Sequence, residues 1–149
     1  SLLSSGCGEP DCRVDMTLSG AIEGPARIEG SGEEFCAAEP MSGLVILSFS
    51  RVVGINDEGV SDLQINVQSA KLVEGTFAAT VVVGTASSSF VGDACSITLA
   101  DFEREDWTVT DYLDFTAVLT CSAPLEQLQG GFSTLELGPT QIAGHLLYE

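Results

Sequence analysis

Hydrophobic and polar residues alternate along most of this chain, with the two-residue period that turns one face of a β-strand toward a core. Val14, Met16 and Leu18 alternate with polar residues near the start, and residues 63–68 alternate just as strictly. The longest alternating run covers residues 113–121 and predicts a half-buried strand. The residues predicted to share its inner face are Leu113, Phe115, Ala117, Leu119 and Cys121.

Two further runs, residues 44–49 and 77–83, are apolar on both faces. This pattern is typical of a central strand that is covered twice, or of a strand whose outer face meets another subunit. Residues 132–137 and 142–148 predict the last two strands. We therefore expect an all-β fold, an antiparallel and jelly-roll-like β-sandwich of about nine strands.

Turn residues separate these runs, as a sandwich of short strands requires. One short helix is predicted over residues 124–129, because a proline opens that segment and two glycines follow it. We expect residues 13–149 to form one domain and residues 1–12 to be a processed or tethering segment. The predicted turns are at residues 30–32, 56–59, 84, 92–93 and 138–139.

The charge of the chain excludes several classes of partner. The 149 residues include 22 acidic and five basic ones, for a net charge of −17, while 44% hydrophobic content is ample for a folded core. Nucleic acids and anionic lipid surfaces need several converging cations, so neither is expected as a partner. No run approaches the roughly 20 apolar residues of a membrane-spanning helix. The basic residues are spread along the sequence with no cluster: Arg13, Arg27, Arg51, Lys71 and Arg104.

Five cysteines in a small acidic chain predict disulfides and an oxidising compartment. Cys95 is in phase with Ile97 and Leu99, and Cys121 is in phase with Leu119, so an antiparallel hairpin would place both sulfurs on its apolar face. A Cys95–Cys121 disulfide is therefore expected. The remaining interior pair, Cys12 and Cys36, is expected to form the second disulfide, which leaves Cys7 lipidated, paired between chains or free.

The first seven residues resemble the lipobox of bacterial lipoproteins. Leu3 begins the resemblance, and Ser5 and Gly6 are the small residues that precede Cys7, although Ser4 stands where that family usually has leucine. The resemblance implies lipidation of Cys7 and a lipid-anchored protein. The expected location is extracellular or on the outer cell surface.

Calcium is the candidate cofactor. Asn56, Asp57, Glu58 and Asp62 surround a turn glycine and could supply the several oxygen ligands that calcium takes from one compact loop. The alternative is a solvated hairpin turn, because turns use the same residue types.

Aromatic residues flank the acidic stretch between Asp101 and Asp114, which is the longest segment expected to be irregular. Phe102, Trp107 and Tyr112 could stack on sugar rings while neighbouring carboxylates accept hydroxyl protons. The alternative is that Phe102 and Trp107 close one end of the core.

Catalysis is not expected. The single histidine, His145, falls out of phase with the apolar residues of the last strand, and no nucleophile elbow occurs. A glycosidase using acids from the Asp101 region is the least improbable enzyme. We expect instead a non-enzymatic extracellular or cell-surface module for adhesion, ligand binding or accessory interaction with a protein or carbohydrate. The alternatives are a self-assembling structural subunit of a filament, sheath or surface layer, and a calcium-dependent carbohydrate-binding module.

Overall fold

The computed structural model describes residues 11–32, 35–50, 59–85, 88–106, 111–128 and 131–147. These residues form eleven β-strands, and no helix occurs among them. None of the described parts therefore contains a helix long and apolar enough to cross a membrane. The strands are β1 (Cys12–Gly20), β2 (Gly24–Gly30), β3 (Cys36–Met41), β4 (Leu44–Ser50), β5 (Val60–Val67), β6 (Gly75–Thr85), β7 (Ser89–Asp106), β8 (Asp111–Cys121), β9 (Leu125–Gln127), β10 (Thr134–Leu137) and β11 (Thr140–Leu147).

All strands belong to one antiparallel sheet, which confirms the all-β prediction. Its hydrogen-bonded order is β3-β4-β5-β6-β7-β8-β11-β1-β10-β9, with β2 paired to β1 and β9 also paired to β7. The middle of this order follows the chain order, because each strand from β3 to β8 pairs antiparallel with the next. The first and last strands, β1 and β11, then lie side by side.

The eleven strands exceed the predicted number of about nine, and two interruptions divide strands that follow a common neighbour. Both β8 and β9 run antiparallel to β7, and both β10 and β11 run antiparallel to β1. The strands β8 and β9 thus lie one after the other along β7, and β10 and β11 lie one after the other along β1. Pro124 lies in the first break and Pro139 in the second, and a proline has no N–H to donate to a sheet.

The predicted helix over residues 124–129 is wrong. Leu125–Gln127 is the strand β9, which pairs with β7 and β10, and Leu125 is fully buried. A short proline-led segment has little helical tendency of its own, so the pairing available on both sides decides its structure.

Two expected irregular segments are also strands. Gly92 and Asp93, predicted as a turn, lie inside β7 where its register with β6 shifts between Ala79 and Val81, which indicates a bulge. The expected irregular connection after Asp101 is also wrong, because β7 continues to Asp106 and β8 begins at Asp111. Charged residues can continue a strand whose outer face meets water.

Alternation correctly predicts which side chains face the core. Val14, Met16 and Leu18 are buried on β1, as are Leu113 and Leu119 on β8. The buried side chains of all the longer strands form one hydrophobic cluster. Burial of the hydrophobic side chains on one face of the sheet thus supplies most of the favourable free energy of folding.

Both predicted disulfides are confirmed. Cys95 pairs with Cys121 across β7 and β8, and Cys12 pairs with Cys36. The second bond joins β1 to β3, which lie far apart in the hydrogen-bonded order, so the sheet curls until these strands meet across the core. Strand β1 begins at Cys12, which is the last residue of the segment predicted to be a tether. Cys7 and the other residues of the range 1–10 lie outside the described residues.

Candidate functional site

One row of outward-facing side chains crosses six neighbouring strands of the sheet. Each member lies directly opposite the next in the strand register, and each alternates along its strand with core residues. We call this set the outer row. Its members are Arg27 on β2, Asp15 on β1, Gln141 on β11, Val118 on β8, Thr98 on β7 and Thr76 on β6.

Asp15 is the most strongly held member of the outer row. Its Oδ1 accepts a hydrogen bond of 2.6 Å from Nε of Arg27, and its Oδ2 lies 3.3 Å from Nε of Arg13. The hydrogen bond and the negative charge of Asp15 raise the pKa of the Arg27 guanidinium above its ordinary value. Two cations thus fix one carboxylate, whose oxygens keep lone pairs for further donors.

A cleft of about 490 Å³ opens at this end of the outer row. It is wide open to solvent, and its volume lies within the range typical of small-molecule sites. Gln141 adds an amide to the carboxylate and guanidinium, and none of the described residues hydrogen-bonds that amide. We call it the polar cleft, and its outward-facing lining is Asp15, Thr17, Pro25, Arg27, Pro139 and Gln141.

The polar cleft exists because β10 and β11 are interrupted beside β1. At the break, the Gly138 N–H donates a hydrogen bond of 2.8 Å to the Thr17 carbonyl oxygen. A Cβ at Gly138 would lie 3.2 Å from that oxygen, which is tighter than ordinary contact, so glycine permits this close approach. Pro139 then turns away and forms one wall, with Pro25 also in the lining.

The rest of the outer row belongs to a surface whose own side chains are uncharged, and the hydroxyl of one of them, Thr116, donates a hydrogen bond of 2.7 Å to the carboxylate of Asp101. The Thr76 and Thr98 hydroxyls are hydrogen-bonded to each other at 2.9 Å, and Val118 between Thr98 and Gln141 is 43% exposed. A protein surface usually carries a charge at roughly a quarter to a third of its positions. We call this set the uncharged face: Thr76, Ala78, Ser96, Thr98, Ala100, Thr116, Val118, Thr120, Gln141 and Ala143.

A second cluster lies on the same side of the sheet, further along β8 and β11. His145 Nδ1 is hydrogen-bonded to Asp114 Oδ1, directly opposite in the register. The His145 ring also stacks on Tyr112, with ring centroids 4.8 Å apart and planes 6° from parallel. The ring is therefore held on two sides, which fits a structural role in joining β8 to β11.

The structure does not bring the predicted sugar-stacking residues onto one face. Phe102 packs against the core and meets Phe115 edge-on, with ring centroids 6.1 Å apart. Tyr112 follows the opposite face of β8, since the next residue, Leu113, is fully buried. Trp107 lies outside the described residues.

The predicted calcium ligands are mostly outside the described residues, namely Asn56, Asp57 and Glu58. Asp62 is described, and its carboxylate accepts hydrogen bonds from the hydroxyls of Ser50 and Ser61. Within the described ranges no group of three or more candidate metal-binding side chains occurs. Calcium binding stays a prediction.

Sequence reasoning missed the polar cleft. The basic residues were expected to form no cluster, yet the fold places Arg13 and Arg27 on either side of Asp15. A partial signal was available at residues 138–139, where a glycine followed by a proline predicts a break in the chain path. Nothing in the sequence placed that break beside β1.

Similarity to known proteins adds no indication of function. No protein-family model matches the chain, and neither the curated proteins nor the solved structures contain a match. The described residues are therefore the basis for assigning a function.

Proposed function

We propose that this chain is a non-enzymatic, exported binding module, located outside the cell or on its outer surface, whose ligand lies on the outer row. The observation that carries this proposal is the in-register set of guanidinium, carboxylate and amide at Arg27, Asp15 and Gln141, in a cleft large enough for a ligand. Convergent polar groups in a concave site are the usual mark of a binding site.

Export is supported by the two disulfides, because such bonds persist mainly in oxidising compartments. In this proposal the β-sheet is a sandwich-type scaffold, and Cys7, where the sequence resembles a lipobox, is the anchor. The intact mass of the native protein under non-reducing conditions tests the anchor. A chain that begins at Cys7 and carries acyl groups supports it, and an unmodified Cys7 contradicts it.

A binding role is favoured over catalysis by the surroundings of His145. The bond from Asp114 to its Nδ1 is also how a catalytic histidine is oriented, but no hydroxyl group among the described residues hydrogen-bonds the ring. A nucleophile activated by histidine needs that hydrogen bond. The outer row offers groups that bind and orient a ligand instead.

Self-assembly by strand addition is less well supported. In the described residues, β3 and β2 pair on one side only, and they contain Pro40 and Pro25. Proline on an edge strand hinders the pairing of further strands, because it lacks an N–H donor. The structural-subunit alternative would therefore require contact through faces rather than edges.

Co-sedimentation with cell envelopes from the source cells tests the proposed function. We expect the wild-type protein to sediment with envelopes, and Asp15→Asn and Gln141→Ala each to reduce the bound fraction several-fold. The matched control is Gln64→Ala, because Gln64 is an exposed glutamine on β5, away from the outer row. Equal sedimentation of all four proteins, or none by the wild type, would contradict a site on the outer row.

A further inference from the structure

We infer that the ligand of the outer row is a neutral polysaccharide chain that lies across the strands, from Arg27 toward Thr76. This inference rests on the proposed function and names its ligand class. It also assigns a role to the uncharged face, which continues the row beyond the polar cleft.

The spacing of the outer row matches a repeating ligand. Neighbouring strands of a sheet lie about 4.8 Å apart, so the six side chains follow one another at about one strand spacing along the curved outer face. An extended β-linked sugar chain advances by nearly this distance per unit. Each strand that the polysaccharide crosses thus offers one side chain to one sugar unit.

The chemistry of the outer row suits hydroxyl groups. The Asp15 carboxylate accepts hydrogen bonds, the Arg27 guanidinium donates them, and the unpartnered Gln141 amide does both. The hydroxyls of Thr98 and Thr76 bond each other, so the far end of the row is already partly satisfied and can be covered at little cost. A ligand rich in hydroxyls uses all of these groups.

The apolar side of a sugar ring also finds a surface here. Val118 lies in the middle of the outer row and is 43% exposed, while Ala100 and Ala143 on neighbouring strands are small enough to let a ring approach. Pro25 and Pro139 supply apolar walls at the cleft. These side chains have few rotamers, so covering them costs little conformational entropy.

Charge selects a neutral polysaccharide. The net charge of −17 repels acidic glycans. A basic partner would be attracted more strongly to the acidic remainder of the surface than to the uncharged face. At the charged end of the outer row, Asp15 offsets the charge of Arg27, and Glu29 lies directly opposite the second cation, Arg13, in the strand register. A neutral polysaccharide is not repelled by the net negative charge, and its binding to this surface does not depend on electrostatic attraction.

Calorimetric titration with soluble oligosaccharides tests this inference. The probes are neutral β-linked oligomers of glucose, mannose and N-acetylglucosamine, two to six units long, with β-linked oligomannuronate as the acidic comparison. We expect at least one neutral series to bind, with affinity rising with length up to about six units because the row crosses six strands. Oligomannuronate is expected not to bind.

Variants locate the binding on the outer row. Asp15→Asn and Gln141→Ala are each expected to weaken binding about tenfold, as loss of a hydrogen bond with a charged or otherwise unpaired group does. Val118→Asp is expected to abolish the gain from longer oligomers. Its matched control is Val73→Asp, because Val73 is 42% exposed and precedes β6, outside the outer row. Circular dichroism and melting curves confirm that each variant is folded.

The outcomes separate this inference from the proposed function. If the wild type sediments with envelopes in an Asp15-dependent way but binds no neutral oligosaccharide at millimolar concentration, the ligand class is wrong and the binding module stands. If the affinity changes neither with oligomer length nor with Val118→Asp, the placement of the polysaccharide along the outer row is also wrong. If neither envelopes nor oligosaccharides bind, both proposals fail.

Discussion

Cys95 and Cys121 lie directly opposite each other on β7 and β8, and a disulfide joins them across the two strands. The bond lies at the end of the pairing between these strands, where β8 is interrupted and β9 begins. It therefore joins the two strands at the end of their paired region, next to the hydrogen bond of 2.8 Å from the Ser122 N–H to the Ala94 carbonyl oxygen.

Replacing both Cys95 and Cys121 with alanine is expected to lower the free energy of unfolding by about 2–5 kcal/mol, as loss of a native disulfide in a small exported domain does. Urea unfolding under oxidising conditions measures the change. An unfolding free energy equal to that of the wild type would contradict a stabilising role for the bond.

Gly144→Ala is expected to destabilise the fold by about 1–3 kcal/mol, the usual cost of overpacking a core. Gly144 is opposite Phe115 in the register, and a Cβ built on Gly144 would lie 2.5 Å from Cε1 of that ring. Thermal and urea unfolding measure the effect. Ala143→Ser, on the outer face of the same strand, is the control and is expected to change stability by less than about 0.5 kcal/mol.

His145→Ala is expected to cost about 1 kcal/mol, because it removes both the stacking on Tyr112 and the hydrogen bond to Asp114. Tyr112→Phe keeps the ring and serves as the control, with an expected change close to zero. If His145→Ala also abolished envelope binding while remaining folded, the binding surface would extend to this cluster.

Pro40→Thr is expected to increase self-association, because it gives the edge strand β3 an additional N–H donor and a residue that favours strands. Analytical ultracentrifugation over a range of concentrations measures it. Ala37→Thr in the same strand is the control for the added threonine. A monomer at all concentrations for both variants would show that the proline is not what protects this edge.

Local alternation was enough to predict much of the fold. The phase of Val14, Met16 and Leu18 determined which face of β1 is buried, and the phase of Cys95 and Cys121 predicted their disulfide. Such inferences succeed because the side-chain period of a strand is two and because one face of this sheet lies against the core.

Segments without a strong pattern were predicted less well. Residues 124–129 were expected to be helical, yet residues 125–127 form β9, and residues 92–93, expected to form a turn, lie inside β7. Their structure depends on the strands beside them, since a short segment has too little intrinsic preference to resist pairing.

The sequence by itself thus determined the all-β class, the buried face of the long strands and both disulfides. The tertiary structure alone decided that Asp15 lies between Arg27 and Gln141, which are separated by more than a hundred residues in the chain. Periodicity tells which way a side chain points but not which strand lies beside it. That neighbour is fixed only when the sheet closes around its core, because strand order and register between distant segments are settled by packing the whole chain at once.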